Sequence, residues 1–359
     1  MASQTARPHP NPEPVVAPLS ACVSLGDIEQ VARVRLSPRA ASYFHTGAET
    51  RASLDRNRRD WGRVAFRPRV LRNVARVSMR TDIMGFDSSL PIFIAPAAAA
   101  GLGHEDGELC LARGAARMDV AQCVCTLSSV PPKDVMAGFL ADPERRGGAL
   151  FFQLYIPRVK KRATKLIAMA KAAGFRALVV TVDAPVIGKR DDDDRFKARF
   201  GAKPGASSPD EALPTPPLPG SEAETLRASH DPTLEWSDLS WIRACWGDKP
   251  IILKGIQTAE DAVEATRHGV DGIYLSNHGG RQLDFAPSAV QTLLEIRRHY
   301  PEVFDKTAVY VDGGVTRGTD IVKALCLGAR GVGIGRGFLY ALSAYGTDGV
   351  LKTISSDFE

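Results

Sequence analysis

A polar cluster follows an apolar run near the middle of the C-terminal half of this sequence. The segment SNHGGRQLD, residues 276–284, places an imidazole, a guanidinium, two amides and a carboxylate around two glycines. The run before it, DGIYL, has the composition of a buried strand. A buried strand loses free energy when it carries unpaired polar groups. The cluster is therefore expected to face water, a ligand or a cofactor.

The types of the polar residues favour redox chemistry on a small acid over hydrolysis. His278 is the natural base because imidazole titrates near neutral pH, and Asp183 could stabilise the imidazolium. Arg281 and Arg190 could hold a carboxylate with two parallel hydrogen bonds, which a lysine cannot do. Lys254 supplies a fixed positive charge suited to a developing anion such as a reduced flavin ring.

Eight short runs rich in β-branched residues would position these side chains. The runs are IFIAP (92–96), VAQCVCT (120–126), ALFFQLY (149–155), ALVVTVD (177–183), PIILK (250–254), DGIYLS (271–276), AVYVD (308–312) and RGVGIG (330–335). They are continuous rather than alternating, as expected of strands covered on both faces. Helical patterns lie between most of them, and another spans Ser24 to Trp61.

This pattern predicts an α/β fold, a (β/α)8 TIM barrel with an N-terminal helical segment and a long loop after strand 4. An open doubly wound sheet is the alternative, although it usually has fewer strands and a G-x-G-x-x-G phosphate loop after the first strand. The first run here ends in Ala95-Pro96-Ala97-Ala98 instead. A barrel binds its ligands at the carboxyl ends of the strands, where the polar residues fall.

Two loops near the C-terminus have the composition of a phosphate site. DGGVTRG (312–318) and GIGRG (333–337) each precede a helical pattern. Backbone N–H groups, a helix dipole and an arginine can therefore converge on one anion. Barrels commonly bind phosphate with the loops after strands seven and eight, so the sequence predicts a phosphorylated cofactor or substrate.

Composition sets limits on the class of protein. The 46 basic and 41 acidic residues of this 359-residue chain give a net charge of +5 on a mixed surface, so we expect no nucleic-acid partner and no membrane partner. No apolar run approaches the roughly 20 residues of a membrane-spanning helix. We therefore expect a cytoplasmic protein. The six scattered cysteines are interpreted as buried free thiols, and no metal site is expected.

Two segments fall outside the periodic pattern. Residues 1–20 are predicted to be a disordered, proline-rich tail, and residues 21–359 the barrel domain. Residues 184–235 are predicted to be a mobile, lid-like loop. The run Asp191 to Asp194 inside this loop is interpreted as a solvated, self-repelling segment.

From about residue 24 to residue 350 the sequence resembles the FMN-dependent α-hydroxy-acid dehydrogenase and oxidase family. This family includes glycolate oxidase, lactate oxidase and the flavin domain of yeast L-lactate:cytochrome c dehydrogenase. The motifs that carry the resemblance are YFHTGAET, FRPRVL, FFQLY, TVDAPVIGKR, SNHGGRQLD and DGGVTRGTDIVKALCLGARGVGIGR. The resemblance implies FMN as cofactor and oxidation of an (S)-2-hydroxy acid to the 2-oxo acid. It also implies electron transfer to O2 or another acceptor, and a homo-oligomer, in this family a tetramer.

The resemblance also implies roles for individual residues. The catalytic residues would be His278, Asp183, Tyr155, Lys254 and Arg281, and the substrate would contact Tyr43, Tyr155, Arg190 and Arg281. The FMN ring and ribityl chain would contact Pro96, Ala97, Ala98, Ser128, Gln153, Thr181, Lys254 and Ser276. The FMN phosphate would contact Asp312, Gly313, Gly314, Val315, Thr316, Gly335 and Arg336.

Two departures from the family pattern carry expectations of their own. Thr316 stands where members usually carry an arginine near the phosphate, so weaker FMN binding is expected. Val130 stands where many members carry an aromatic residue that contacts the substrate, so it is expected in the pocket wall, and a substrate side chain larger than that of glycolate should be accepted. Two alternatives stay open: an FMN-binding barrel without turnover, and a flavin enzyme acting on a phosphorylated substrate.

Overall fold

A closed barrel of parallel strands forms the centre of the molecule. The computed structural model describes residues 16–200 and 230–357. Its strands are β1 (Thr81–Ile83), β2 (Phe86–Ser88), β3 (Ile92–Ile94), β4 (Ala121–Cys125), β5 (Ala149–Tyr155), β6 (Leu178–Thr181), β7 (Ile251–Ile256), β8 (Gly272–Leu275), β9 (Ala308–Val311) and β10 (Gly331–Ile334). Strands β3 to β10 pair in chain order, and β10 pairs with β3 to close the barrel.

Each of the eight predicted runs overlaps one barrel strand, so the predicted (β/α)8 barrel is confirmed and the open sheet is wrong. The helices are α1 (Leu25–Arg35), α2 (Pro38–His45), α3 (Ala52–Gly62), α4 (Glu108–Met118), α5 (Pro132–Ala141), α6 (Lys160–Ala173), α7 (Asp191–Phe200), α8 (Leu239–Trp246), α9 (Ala259–Arg267), α10 (Ala289–His299), α11 (Val303–Lys306), α12 (Gly318–Cys326) and α13 (Arg336–Asp357). The first three form the predicted N-terminal helical segment. In the described ranges, no helix is both long and apolar enough to cross a membrane.

The lower half of the barrel interior is filled by apolar side chains. Phe93, Phe151, Val179 and Ile252 point inward and are fully buried. The β1–β2 hairpin packs against the same cluster, and the backbone N–H of Met84 in its turn donates to the Tyr310 hydroxyl at 2.8 Å. The hairpin and the apolar layer therefore fill the bottom of the barrel, and the polar residues lie at the opposite end.

Polar side chains replace apolar ones in the upper layer of the barrel interior. Successive inward-facing residues of a strand are two positions apart. Two residues beyond Phe151, Val179, Ile252, Tyr274 and Tyr310 of the apolar layer the chain carries Gln153, Thr181, Lys254, Ser276 and Asp312. The strand period thus places five polar groups at the C-terminal face, directly above a packed floor.

The N-terminal helical segment is fixed to the 276–284 loop by hydrogen bonds. The Asp284 carboxylate accepts from the backbone N–H groups of Thr50 at 3.0 Å and Ser53 at 2.9 Å. The N–H of Ala48 donates to the carbonyl of Gly280 at 2.7 Å. Asp284 therefore satisfies donors at the start of α3 that the helix itself cannot pair.

The interpretation of Asp191 to Asp194 as a self-repelling segment is wrong. These four residues form the first turn of α7, where the helix dipole favours negative charge. Arg195 pairs with Asp191 and Asp192 at 3.2 Å, and Lys197 pairs with Asp193 at 2.9 Å. The charges are compensated one turn later in the same helix.

Two other expectations change in the structure. The cysteines are free as predicted, but Cys326 is exposed and Cys245 is only half-buried, because a helix face directed away from the barrel does not bury them. In the predicted tail, Leu19–Ala21 form a short 3-10 helix, and the part before Val16 lies outside the described residues. Most of the predicted lid, residues 201–229, also lies outside them.

We predict that Asp284→Ala lowers the stability of the protein by about 1–3 kcal/mol, because it leaves the buried backbone N–H of Ser53 without its acceptor. Urea unfolding of the purified protein measures this change. Asp305→Ala is the matched control, since Asp305 is exposed. Equal stability of the two variants would show that the Asp284 contacts do not hold the N-terminal segment on the barrel.

Candidate active site

A single cavity of about 570 Å³ opens at the C-terminal face of the barrel. It is continuous from the end of β8 to the start of α13. The predicted site residues that line it are Tyr43, Pro96, Ala97, Ala98, Gln153, Tyr155, Thr181, Arg190, Lys254, His278, Arg281, Asp312, Gly313, Gly314, Val315, Thr316, Gly335 and Arg336. Strand ends that are far apart in the sequence therefore contribute to one site.

Three predicted residues lie behind the cavity wall. Asp183 contacts His278 from below, and Ser276 Oγ accepts hydrogen bonds from Lys254 Nζ and from the backbone N–H of His278, both at 3.0 Å. Ser128 is fully buried, and its hydroxyl donates to the carbonyl of Val130 at 2.8 Å. In this structure these side chains position other groups of the site.

His278 lies at the centre of the site between a carboxylate and a phenol. Its Nδ1 is 2.9 Å from Asp183 Oδ1, and its Nε2 is 3.1 Å from the Tyr155 hydroxyl. A carboxylate only accepts, so Nδ1 carries the proton of the neutral ring and Nε2 carries the lone pair. The backbone of His278 has φ of +60°, an uncommon conformation for a residue with a side chain.

The surroundings keep the imidazole neutral. Burial lowers the pKa of His278, Asp183 raises it, and the positive charges of Lys254 and Arg190 lower it. Burial raises the pKa of the Asp183 carboxyl, but its interaction with His278, which includes a hydrogen bond, and the Lys254 charge outweigh this and hold the pKa below its usual range. An ionised carboxylate beside a neutral imidazole is the arrangement of a general base with a supporting acid group.

Gln282 fixes the spacing between the two loops that carry the dyad. Its amide nitrogen donates to the carbonyls of Asp183 at 3.0 Å and Val186 at 2.8 Å, and its oxygen accepts from the N–H of Gly188 at 3.0 Å. A Cβ on Gly188 would lie 2.5 Å from the carbonyl oxygen of Arg281, so only glycine allows this approach. The 276–284 loop and the start of the predicted lid therefore form one rigid unit.

Two arginines form a cationic pair beside His278. Arg281 donates to the Tyr43 carbonyl at 2.9 Å and its guanidinium lies over the Tyr43 ring, 4.6 Å from the centroid. Burial and the neighbouring Arg190 charge lower the pKa of Arg281 to about 9. Arg281 Nη2 and Arg190 Nε are buried and have no hydrogen-bond partner within the described residues. Two half-buried cations with buried, unused donor atoms fit a bound anion.

The other end of the cavity has three glycines, Gly313, Gly314 and Gly335, which are called the glycine cradle below and which have the features of a phosphate site. Gly313 and Gly314 adopt φ of +88° and +77°, and a Cβ on Gly314 would lie 2.2 Å from the carbonyl oxygen of Asn57. A Cβ on Gly335 would meet only Ala95, at 3.7 Å, and would project into the cavity. Helices α12 and α13 begin beside these glycines. Backbone N–H groups are thus exposed at two helix starts.

A buried polar network joins the two ends of the cavity. Lys254 Nζ lies 3.0 Å from Ser276 Oγ and 4.0 Å from Asp312 Oδ2, which also accepts from the Tyr274 hydroxyl at 2.9 Å. Asp312 Oδ1 is buried without a partner in the described chain. The network holds one fixed positive charge above the apolar floor of the barrel.

Several lining residues were not assigned from the sequence. Arg58 and Arg59 of α3 line the cavity, and Arg58 pairs with Glu29 of α1 at 2.9 Å. His230 lines it as well, next to Tyr155. The arginines lie in an amphipathic helix, where charged residues usually mark only a solvated face. Val130, which was expected in the pocket wall, packs against the core and is not among the described residues that line the cavity.

A separate group of possible metal ligands lies on the N-terminal side of α4. His104, Asp106 and Cys110 have ligand atoms within 4.8 Å of one another. However, His104 Nδ1 accepts the Asp106 N–H at 3.1 Å, and the Asp106 carboxylate pairs with Arg113 at 2.7 Å. These contacts already use the imidazole lone pair and one carboxylate oxygen, and we assign no metal to the group.

Comparison with known proteins places the chain in a family. The sequence matches the FMN-dependent dehydrogenase family over residues 32–356. The chain belongs to this family. It is 39% identical over 339 residues to an L-lactate dehydrogenase (cytochrome) of Wickerhamomyces anomalus, covering 94% of this chain and 57% of that protein. It is 38% identical over 336 residues to glycolate oxidase 3 of Oryza sativa subsp. indica, covering 92% and 88%.

A solved structure of a family member has the same fold. A tyrosine-to-phenylalanine variant of mandelate oxidase with (S)-mandelic acid superposes with a TM-score of 0.80 at 36% identity, covering 94% of this chain and 91% of that one. The predicted membership and the barrel are therefore confirmed. The chain spans little more than half of the yeast lactate dehydrogenase, so the activity of that whole protein does not transfer directly.

The residues of the cavity fit FMN, the cofactor for which the family is named. The glycine cradle and the starts of α12 and α13 suit a phosphate, and the orphaned Asp312 Oδ1 is an acceptor for a hydroxyl donor such as those of a ribityl chain. Thr316 presents no cation there, and its backbone N–H donates to Asp320 at 3.1 Å. Arg336 is held by the carbonyls of Thr46 and Gly279, at 3.2 Å and 3.3 Å, on the cavity wall.

We predict that Thr316→Arg lowers the dissociation constant for FMN about tenfold, because a charge-assisted hydrogen bond to phosphate contributes about 1.5–3 kcal/mol. Quenching of flavin fluorescence on titration of the apoprotein measures this constant. Thr316→Gln is the control, with similar length but no charge. A gain that is equal in the two variants would mean that charge at position 316 does not limit FMN binding.

Proposed function

We propose that this protein binds FMN without a covalent link and oxidises a 2-hydroxy acid to the corresponding 2-oxo acid. The observation that carries the proposal is a neutral, half-buried imidazole placed between Asp183 and Tyr155, beside a half-buried arginine pair, in the cavity that also holds the glycine cradle. A base, an anion site and a phosphate site within one cavity suit this reaction.

The arginine pair would bind and orient the substrate carboxylate. Arg281 Nη2 and Arg190 Nε supply unused donors, and a carboxylate between them relieves their mutual repulsion. Because Arg281 is fixed over the Tyr43 ring, the bound acid would have one orientation. The hydroxyl carbon would then lie toward His278, and uniform orientation of this kind lowers the entropy cost of the reaction.

His278 would remove a proton from the substrate. Its Nε2 lone pair faces Tyr155 in the cavity, and burial raises the pKa of that phenol, so Tyr155 stays a hydrogen-bond donor. On protonation, the imidazolium is stabilised by Asp183 through Nδ1 at 2.9 Å. The buried carboxylate therefore lowers the free energy of the charge that proton transfer creates.

FMN, when bound, supplies the two-electron acceptor for the reaction. Pro96, Ala97, Gln153, Thr181 and Lys254 would hold its ring and ribityl chain, and the Lys254 ammonium would stabilise negative charge on the ring. The residues that would hold its phosphate are Gly313, Gly314, Val315, Gly335 and Arg336. The final acceptor of the electrons is O2 or another oxidant in this proposal.

The finer features of the substrate come from the relatives and from the cavity. We propose an (S)-2-hydroxy acid, in line with the (S)-mandelic acid held by the mandelate oxidase variant. Leu127, Ala184 and Ile187 supply apolar wall in the cavity, which supports a side chain larger than that of glycolate. A tetramer and a cytoplasmic location stay predictions.

We predict that anaerobic addition of (S)-2-hydroxy acids bleaches the flavin. We expect His278→Gln to keep the flavin but to slow its reduction by about 10²–10⁴-fold. Stopped-flow absorbance measures the rate. His299→Gln is the control, because His299 is exposed at the end of α10. Reduction at the unmodified rate in His278→Gln would remove this residue from the mechanism.

The same assay separates the alternatives. Bleaching by NAD(P)H and none by hydroxy acids would support a flavin enzyme acting on a phosphorylated substrate. A flavin that no hydroxy acid and no NAD(P)H reduces would support a barrel without turnover.

A further inference from the structure

His230 is a buried histidine in the cavity that the mechanism does not use. Its ring stacks on Tyr155, with centroids 4.4 Å apart and planes 17° from parallel. It is only 6% exposed and lines the cavity. Tyr155 is the residue whose hydroxyl contacts His278, so His230 lies one ring away from the proposed base.

The backbone of His230 is anchored to the end of β5. Pro157 and His230 form an antiparallel bridge, the N–H of Asp231 donates to the carbonyl of Ile156 at 2.8 Å, and Arg158 donates to the His230 carbonyl at 3.3 Å. The position of the ring is therefore set by the barrel. A side chain held in this way can present a fixed atom to a ligand.

The hydrogen-bond pattern of His230 defines which atom it presents. Nδ1 lies 3.1 Å from the carbonyl oxygen of Ala184, which can only accept, so Nδ1 carries the proton. Burial lowers the pKa of His230 and outweighs the hydrogen bond to Ala184, which raises it, so the ring is neutral. Nε2 is then an acceptor, and it is buried with no partner within the described residues.

An unpartnered buried acceptor is uncommon in folded proteins and requires an explanation. Ala184, whose carbonyl contacts the ring, and the cavity-lining residues Leu127 and Ile187 are apolar and offer no side-chain donor. The acceptor is also distinct from the carboxylate site, where Arg190 and Arg281 have unused donors. The chemistry that complements it is a neutral hydrogen-bond donor on the ligand.

We propose that His230 Nε2 accepts a hydrogen bond from the side chain of the substrate, so that the preferred 2-hydroxy acid carries a second hydroxyl beyond its reacting carbon. This inference rests on the proposed oxidation of 2-hydroxy acids. A site built around a buried hydrogen-bonding group rejects analogues that lack the complementary group much more strongly than an apolar pocket rejects an extra hydroxyl.

The test compares substrates that differ only by a hydroxyl. We expect kcat/KM to be at least about tenfold higher for the hydroxylated member of at least one pair, glycerate against lactate or hydroxyphenyllactate against phenyllactate. In His230→Leu this ratio should fall to about one or below, because the acceptor is lost. In His230→Gln, whose amide oxygen can accept, part of the ratio should return. His299→Leu is the control and should keep the ratio.

Each other outcome overturns the inference in a recognisable way. Ratios of one or less in both pairs, or a ratio that His230→Leu leaves unchanged, show that Nε2 does not select the side chain. A preference for malate over lactate that His230→Leu removes shows a protonated imidazole binding a second carboxylate. If neither these four acids nor any other 2-hydroxy acid tested reduces the flavin, the proposed function itself fails, and reduction by other 2-hydroxy acids but by neither pair overturns only the role of His230.

Discussion

The buried contact between Asp183 and His278 is the constraint on which the site depends. A carboxylate without solvent is costly unless it is paired and hydrogen-bonded, and Asp183 has the 2.9 Å contact to Nδ1 and the nearby Lys254 charge. The contact requires the end of β6 to lie close to the loop after β8. Three local features allow this close approach: Gln282, Gly188 and the positive φ of His278.

The barrel provides the asymmetry that makes such a site possible. One set of inward-facing positions, Phe93, Phe151 and Ile252, forms a buried apolar layer. The next set carries the polar residues Gln153, Lys254 and Asp312. Polar groups above an apolar layer are shielded from water on one side, which strengthens their electrostatic effect on each other. Burial and the charges of Lys254 and Arg190, which lie on different parts of the chain, thereby lower the pKa of His278.

Much of this architecture follows from the sequence because the strands are buried on both faces. Continuous apolar runs predicted the eight strands. The polar residues at the ends of these runs predicted the location of the site. The two-residue spacing of Phe151 and Gln153, or of Ile252 and Lys254, also separates floor from site, since strand side chains alternate. The interpretation of Asp191 to Asp194 failed because helix formation and pairing with Arg195 and Lys197 depend on the following residues, not on the run itself.

Other features could not be predicted because they depend on contacts between distant segments. His230 follows a long interval without regular pattern, and only its bridge to Pro157 brings it to Tyr155. The sequence indicates that Arg58 is an ordinary surface residue of an amphipathic helix. Its place in the cavity wall depends on the packing of α3 over the end that has the glycine cradle. Val130 was expected in the pocket wall on the basis of the family resemblance, and its packing into the core follows from the turn after β4, where its N–H donates to Glu108 at 3.0 Å.

The proposed role of Asp183 is to support a neutral imidazole that accepts the substrate proton. The pH dependence of kcat/KM for flavin reduction, measured in the unmodified protein and in Asp183→Asn, distinguishes this role from a purely structural one. Asp183 raises the pKa of His278, so its removal lowers that pKa, and the acid limb of the profile should move to lower pH. The plateau should fall at the same time, because the imidazolium loses its stabilising charge. An unchanged plateau, or an acid limb that stays in place or moves to higher pH, would contradict the claim.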